Sequence, residues 1–414
     1  MSFKPVFLLA AALAVACTAK QAPQQRGIPR ACPESVGMSS THLALIDSAV
    51  NASIGAGEIP GAVVGVVHQG VLVYEKAFGY KSLVPERDTL SCKTLFDLAS
   101  LSKCVGTTLS VMQLVERGQL RLMDPVSRYI PNFKPWKDPA TGEKEEITVQ
   151  HLLTHSSGLD AYVDMPAYLA EFGPGTPEQL LHFIATRAGR NFRPGQEQLY
   201  SCLNFVTLQH IVQRLTGEQL CDYAQTHIFD ALGLEHTTYF PLDRENWKPN
   251  LAALCAPTEV QEDGLPLKAA VHDPIARVIN LGNSGNAGVF SNVEDLAVIA
   301  AMLLNGGSWN GVRILAPGTV RKMFEVPAIN HPAVARALGW DTYYSGPYTS
   351  GDIFELENLR GHTGYTGTSI ILDPDTSTAV IVLSHRVHPL DTGSVARLRA
   401  VVSSIAAAAC DFRS

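Results

Sequence analysis

Ser100 and Lys103 stand three apart in FDLASLSKCVGTTLSVMQLVERG, a stretch that begins at Phe96. On a helix that spacing puts both side chains on one face, close enough for an amine to take the proton from a hydroxyl and leave a nucleophile. The bland reading of the same tetrad is a capping serine followed by a solvated lysine. A serine hydrolase also needs a second proton carrier and a site for a developing oxyanion. Tyr200, in PGQEQLYSCLNF, follows a loop and precedes a helical pattern, a place from which a phenol can point into a cleft; alone it reads equally as a packing tyrosine. GHTGYTGTS, from Gly361, sets glycines around His362 and Thr363 just before a β-rich run, which lets a ligand approach the backbone and leaves NH groups to face it.

The elements that must position these groups are readable from periodicity. After Ser100, apolar residues at Val105, Leu109, Met112 and Val115 mark one buried helical face. SSTHLALIDSAVNASI reads as a first long helix, and GAVVGVVHQGVLVYEKAFGY as a hairpin turning at His68-Gln69-Gly70. A matching pair of strands, TGTSIILD and STAVIVLSH, is joined through Pro374-Asp375-Thr376-Ser377, and SVARLRAVVSSIAAAAC reads as a closing helix. Strands from both chain ends are therefore expected in one antiparallel sheet with the terminal helices packed on it. Between them ITVQHLLTHSSG, PEQLLHFIATRAG, LNFVTLQHIVQRLTG and VEDLAVIAAMLLNGG have helical spacing with glycine stops at Gly158, Gly217 and Gly306. The expectation is an α+β unit over residues 28–414, its α/β part at about 28–99 and 300–414 and an inserted helical part at about 100–299.

The ordered blocks resemble the serine β-lactamase and penicillin-binding superfamily, and within it the class C-like branch of β-lactamases, D,D-carboxypeptidases, D-amidases and esterases. The carriers are FDLASLSK, ITVQHLLTHSSGL, the YSCLNF block, VHDPIARV, NAGVFSNVEDLAVIAAMLLNGG and GHTGYTGTSIILDP, spread from about Gly61 to Pro389. The resemblance implies a β-lactamase/transpeptidase-like fold, Ser100 as acylated nucleophile, Lys103 as its base and Tyr200 as second proton shuttle. It implies an oxyanion hole from the backbone NH groups of Ser100 and Tyr365, and substrate contacts at Cys202, His362, Thr363 and Gly364. Two positions depart from the pattern. Cys202 stands where the family often has asparagine, and a thiol is the poorer hydrogen-bond partner. His362 stands where β-lactamases usually carry lysine; with an ordinary pKa near 6.5 it would hold a substrate carboxylate less firmly at neutral pH. The implied activity is hydrolysis of D-amino-acid peptide or amide bonds of cell-wall type, against a carboxylesterase, a weak β-lactamase, or a penicillin-binding sensor without turnover.

Other sites are weaker. Cys202 as nucleophile lacks an evident base in the sequence around it. GNSGN at Gly282 nearly matches a nucleophile elbow but ends in Asn286. Ser156 and Ser157 read as a helix stop, and Asp273 as either a cleft residue or an ion-pair partner. With 414 residues, a net charge of -7 and no lysine or arginine run, the chain has no nucleic-acid footprint. No CxxC or HExxH is present, and His151/His155 and His385/His388 read as packing pairs, so neither a metal nor another cofactor is expected. The eight cysteines are irregularly spaced and read as mostly buried free thiols. At the amino terminus Lys4, an apolar run from Val6 to Ala16 and small residues describe a signal peptide over residues 1–16. Export to the periplasm or cell envelope is the expectation. Cys17 resembles the acylated cysteine of a bacterial lipoprotein, although Ala14 replaces the preferred leucine, so anchoring and simple cleavage after Ala16 both stand.

Overall fold

The computed structural model describes residues 27–410 apart from 329, 333, 343–348 and 356. The signal segment and Cys17 lie outside the described residues.

Nine strands matter for the site: β1 (Gly61–His68), β2 (Val71–Ser82), β3 (Asp88–Thr89), β4 (Phe96–Asp97), β5 (Thr238–Tyr239), β6 (Val289–Ser291), β7 (Arg360–Thr363), β8 (Ser369–Asp373) and β9 (Thr378–Ser384). The main sheet runs β7-β8-β9-β1-β2-β3 with antiparallel neighbours throughout. Its centre joins the two ends of the chain, Ala62 opposite Ser384 and His68 opposite Thr378. The turn between β1 and β2 places Gln69 and Gly70 at φ 49° and 77°, the paired left-handed residues that match the twist of a tight hairpin.

Both faces of this sheet are covered, so β1 is buried along its whole length. Ala62, Val64 and Val66 share one cluster with Ile46 and Val50 of α1 (Leu45–Gly55) and Leu398, Val402 and Ala406 of the closing helix (Ala396–Ala408). Val63 and Val67 belong to the other cluster, with Val293 and Leu296 of the helix Val293–Leu304. Gly65 sits under that helix because a Cβ there would lie 2.3 Å from Val293 Cγ1. This alternation is the period-two pattern expected of a strand between two helical layers.

The sequence reading of the other helices needs three adjustments. The first helix breaks at Ala44 into Ser40–Leu43, capped by Ser39, and α1. ITVQHLLTHSSG yields only Val149–Leu153, because His155 adopts φ 54° and turns the chain out of the helix. The helix after Ser100 opens with a π-helical turn, Lys103–Thr108, before α2 (Leu109–Glu116). It is buried on every side through Leu114, not along one stripe, while Val115 is only half-buried. That burial follows from its central position, packed on the helix Cys202–Thr216, which we call α3, and on Leu220–Ala224. Truncating Leu109 or Met112 to alanine in such a place typically costs about 2–5 kcal/mol.

Candidate active site

A short three-stranded sheet, β4-β6-β5, delivers the chain to Ser100. The Asp97 carboxylate, buried at the end of β4, accepts the backbone NH of Ala99 (2.8 Å) and of His272 (2.6 Å). Burial outweighs these bonds and pushes its pKa up to about 6. Ala99 is held at φ 45°, a left-handed conformation that disfavours a side chain by about 1–2 kcal/mol, and Ser100 emerges from this bend just before the helix starts at Leu101.

The glycine-rich turn after β7 is sewn to the same bend. Thr366 Oγ1 donates to the Asp97 carbonyl (2.7 Å) and Thr368 Oγ1 to that of Leu98 (3.0 Å). Arg399 Nη2 donates to the carbonyls of Gly364 (2.9 Å) and Thr368 (2.8 Å), tying the turn to the closing helix. Among the described residues no hydrogen bond is drawn from the backbone NH of Ser100 or Tyr365 to another protein group, and both residues line the cleft. Two NH groups free to receive an anion are thereby available.

Lys103 Nζ lies 3.0 Å from Ser100 Oγ and donates to the Asn286 carbonyl (2.8 Å). It stands 3.6 Å from Cys202 Sγ, and its ammonium is 5.1 Å from the centre of the Tyr200 ring. Tyr200 lines both cavities beside Ser100, with Lys103 over its ring. The four side chains thus converge, Ser100 and Lys103 as their spacing suggested and Tyr200 and Cys202 as the resemblance implied. Burial draws the Lys103 pKa down, but Cys202 and Tyr200 oppose this and carry it above the ordinary lysine value. Burial raises Tyr200 and Cys202 against the pull of the Lys103 charge. The protons of Lys103, Tyr200 and Cys202 therefore titrate as a linked set. Tyr200 is 36 % exposed, and its ring stacks on buried His155 at 4.3 Å.

His362 is 2 % exposed, and its Nδ1 donates to the Thr363 carbonyl at 2.8 Å. Burial, reinforced by Arg336 and Lys103, lowers its pKa well below the ordinary value. The sequence-based view of a weakly charged histidine is corrected: this imidazole is neutral, because desolvation and neighbouring cations act in the same direction.

Two cavities meet at Ser100. One, of about 450 Å³, is bordered by Arg336, Arg386, Arg399, His362 and Thr363. The other, of about 470 Å³, is bordered by Glu259, Asp273, Asp391, Tyr162 and His272. Asp273 lines this second cavity and accepts the Ala276 NH (2.8 Å), so of the two roles its sequence left open it takes that of a cleft residue. Cys202 belongs to its wall as well, with Tyr200.

The two serine alternatives, in GNSGN and HSSGL, are structural. Ser284 Oγ donates to Asn286 Oδ1 (2.7 Å), and Ser157 Oγ to Asn204 Oδ1 (2.6 Å), both fully buried. His388 bridges the Thr258 carbonyl and the Leu83 NH, with His385 stacked beside it. No cluster able to hold a metal ion occurs among the described residues. The cysteines from Cys32 to Cys410 are free thiols, four of them buried. Four contributors escaped the sequence reading: Asp97, His155, Asn286 and Arg336. Only the polar run NSGN gave a local signal, for Asn286.

Comparison with known proteins agrees with this architecture. The profile of the family described as Beta-lactamase matches residues 46–403. An N-acetylmuramyl-L-alanine amidase of Bacillus subtilis is 30% identical over 379 residues, covering 86% of this chain and 83% of that protein. A protein of Escherichia coli K12 named "Putative D-alanyl-D-alanine carboxypeptidase" is 29% identical over 403 residues, covering 93% and 91%. Among solved structures, EstCE1, a hydrolase with promiscuous acyltransferase activity, superposes with a TM-score of 0.68 at 23% identity over 89% of this chain and 99% of that one. The octameric penicillin-binding protein homologue from Pyrococcus abyssi gives 0.62 at 25% identity over 83% and 73%.

Proposed function

The chain belongs to the Beta-lactamase family and is a serine hydrolase of that fold, and on that premise we propose an exported enzyme that acylates Ser100 and cleaves D-amino-acid peptide or amide bonds of cell-wall type. The observation that carries this reading is the Ser100–Lys103 pair at 3.0 Å, with the Tyr200 ring beside Lys103, at the junction of two cavities of opposite charge. Ser100 Oγ attacks the scissile carbonyl as its proton passes into the Lys103–Tyr200 pair. The pair titrates as a unit, and attack draws on its form that has lost one proton. The NH groups of Ser100 and Tyr365 receive the oxyanion, and Tyr200 hands a proton to the departing amine, then orients water for deacylation. His362, Thr363 and Gly364 line the leaving-group side, and Cys202 the other. The amidase and carboxypeptidase names of the relatives support the cell-wall substrate class.

A carboxylesterase is the second reading, favoured by Cys202: a thiol beside Lys103 offers an amide substrate less than the asparagine often found there. Intact mass followed over time, with a penicillin or a peptide ending in D-Ala-D-Ala, separates these readings, with Ser100→Ala as control. Release of D-alanine with a transient or persistent adduct on Ser100 supports the D-peptidase. Acylation by simple esters alone supports the esterase, and hydrolysed penicillin without a lasting adduct a β-lactamase. A stable penicillin adduct with no peptide turnover supports a sensor.

A further inference from the structure

A third cavity, of about 560 Å³, shares no lining residue with the two that meet at Ser100. It opens between the end of the helix Val293–Leu304, the helix Pro317–Phe324 and the start of β7. Its wall is largely apolar, from Leu303, Leu304, Val320, Phe324 and Val326. One buried guanidinium stands in it. Arg360 is 8 % exposed; its Nε donates to the Phe324 carbonyl (2.6 Å) and its Nη1 to those of Glu357 (3.0 Å) and Leu359 (2.7 Å). These bonds tie the helix end to β7. Nη2 has no partner among the described residues and retains surface on the cavity.

What Arg360 lacks is a counter-ion. Burial draws its pKa below the ordinary arginine value, and no acidic side chain opposes this. The carboxylates nearest the cavity are committed elsewhere, Glu325 to Lys322 (3.2 Å) and Asp375 to Asn358 (2.9 and 3.0 Å). A guanidinium taken out of water and answered only by carbonyls keeps part of its desolvation cost, and an incoming carboxylate offsets that cost with a charge-assisted bond. The wall narrows the choice further. A bare anion would leave the apolar side chains uncovered, and a neutral apolar molecule would leave Nη2 unmatched. An apolar body carrying one carboxylate satisfies both.

We propose that this cavity is a binding site, separate from the catalytic cleft, for a small apolar carboxylate, an aliphatic or aromatic acid whose anion pairs with Arg360 Nη2 and whose body covers Leu304, Val320 and Val326. Arg321, exposed at the rim, adds attraction at longer range. The site shares one short strand with the cleft: Arg360 opens β7, and Thr363, which closes it, lines the basic cavity beside Ser100.

Octanoate and octanamide, which share a chain and differ in charge, test this by calorimetry on the native protein. Octanoate is expected to bind with a Kd of about 1 mM or tighter, and octanamide about tenfold or more weakly, the size of a charge-assisted hydrogen bond. Val326→Trp keeps Arg360 and fills the cavity from a position that is 36 % exposed, so it should leave the fold intact and lower octanoate affinity by about tenfold or more. Arg360→Met should bind the acid no better than the amide. That variant also gives up the bonds to Phe324, Glu357 and Leu359, so its thermal unfolding is measured alongside, and the Val326→Trp result decides where it does not fold. No binding of octanoate, or equal binding of acid and amide, overturns the proposal. So does an octanoate affinity unchanged in Val326→Trp, which would place the acid elsewhere, the basic cavity at Ser100 included. Inorganic phosphate bound as tightly as octanoate would mark a bare anion site and overturn it as well.

Discussion

Gly364→Ala isolates the role of the backbone beside the nucleophile. A Cβ on Gly364 would lie 2.1 Å from Thr368 Oγ1 and 2.4 Å from the Leu98 carbonyl oxygen. The threonine can swing aside only by giving up its bond to Leu98, and the carbonyl is main chain two residues before Ser100. Reaching ordinary contact requires the turn and the Ser100 bend to part by about 1 Å. The two NH groups credited with the oxyanion sit on opposite sides of that seam, and a displacement of this size in a reacting geometry costs about a hundredfold, near 3 kcal/mol. The assay is the second-order rate at which a fluorophosphonate labels Ser100, measured beside thermal unfolding. Gly318→Ala, where the nearest atom is a flexible arginine end at 3.7 Å, is the control that should label at the native rate. A folded Gly364→Ala protein labelled at the native rate refutes the seam; so does a loss that merely follows the unfolded fraction.

Three shorter tests follow from the same geometry. Ser100→Ala should abolish fluorophosphonate labelling while the melting transition persists, and continued labelling would move the nucleophile elsewhere. Because the pKa values of Lys103 and Tyr200 both lie above their ordinary values, kcat/KM for a neutral ester should climb with pH on the alkaline side of neutrality, with no inflection near pH 6–7 from His362 or His155, which burial keeps uncharged; a histidine-like inflection would refute this assignment. Asp97 is an acid whose folded pKa, about 6, exceeds its ordinary 3.8, so the term favours the native state at low pH and is lost as pH rises from about 4 through 6, by roughly 3 kcal/mol. The urea midpoint of the native protein relative to Asp97→Asn should therefore fall between pH 4 and pH 7, and a flat difference would refute it.

What could be read from the sequence was whatever is encoded locally or in order along the chain. Ser100 and Lys103 share one helical turn, and the β1–β2 hairpin carries its own left-handed residues, so spacing and turn chemistry sufficed for both. The π-helical turn after Lys103 and the all-round burial of α2 did not follow from an apolar stripe, because both depend on what packs around that helix. Asp97 also meets His272, Asn286 meets Lys103 and Arg336 meets Tyr200, and no window of sequence contains both halves of these contacts. His362 shows the same limit in electrostatic form: residue type fixed the ordinary pKa near 6.5, and the structure set its charge through burial beside Arg336 and Lys103.

The pairing of β1 with β9 has a consequence for how the molecule comes into being. The central strand of the sheet, ending 32 residues before Ser100, has half its hydrogen-bond partners between Thr378 and Ser384. Until that late segment is synthesised, β1 presents an open edge and β8, which follows the turn facing Ser100, lacks its inner partner. A nascent or truncated chain would thus carry the serine and the lysine and still be chemically silent. Closure of the sheet and completion of the oxyanion site are one event, reached only when the two ends of the polypeptide meet.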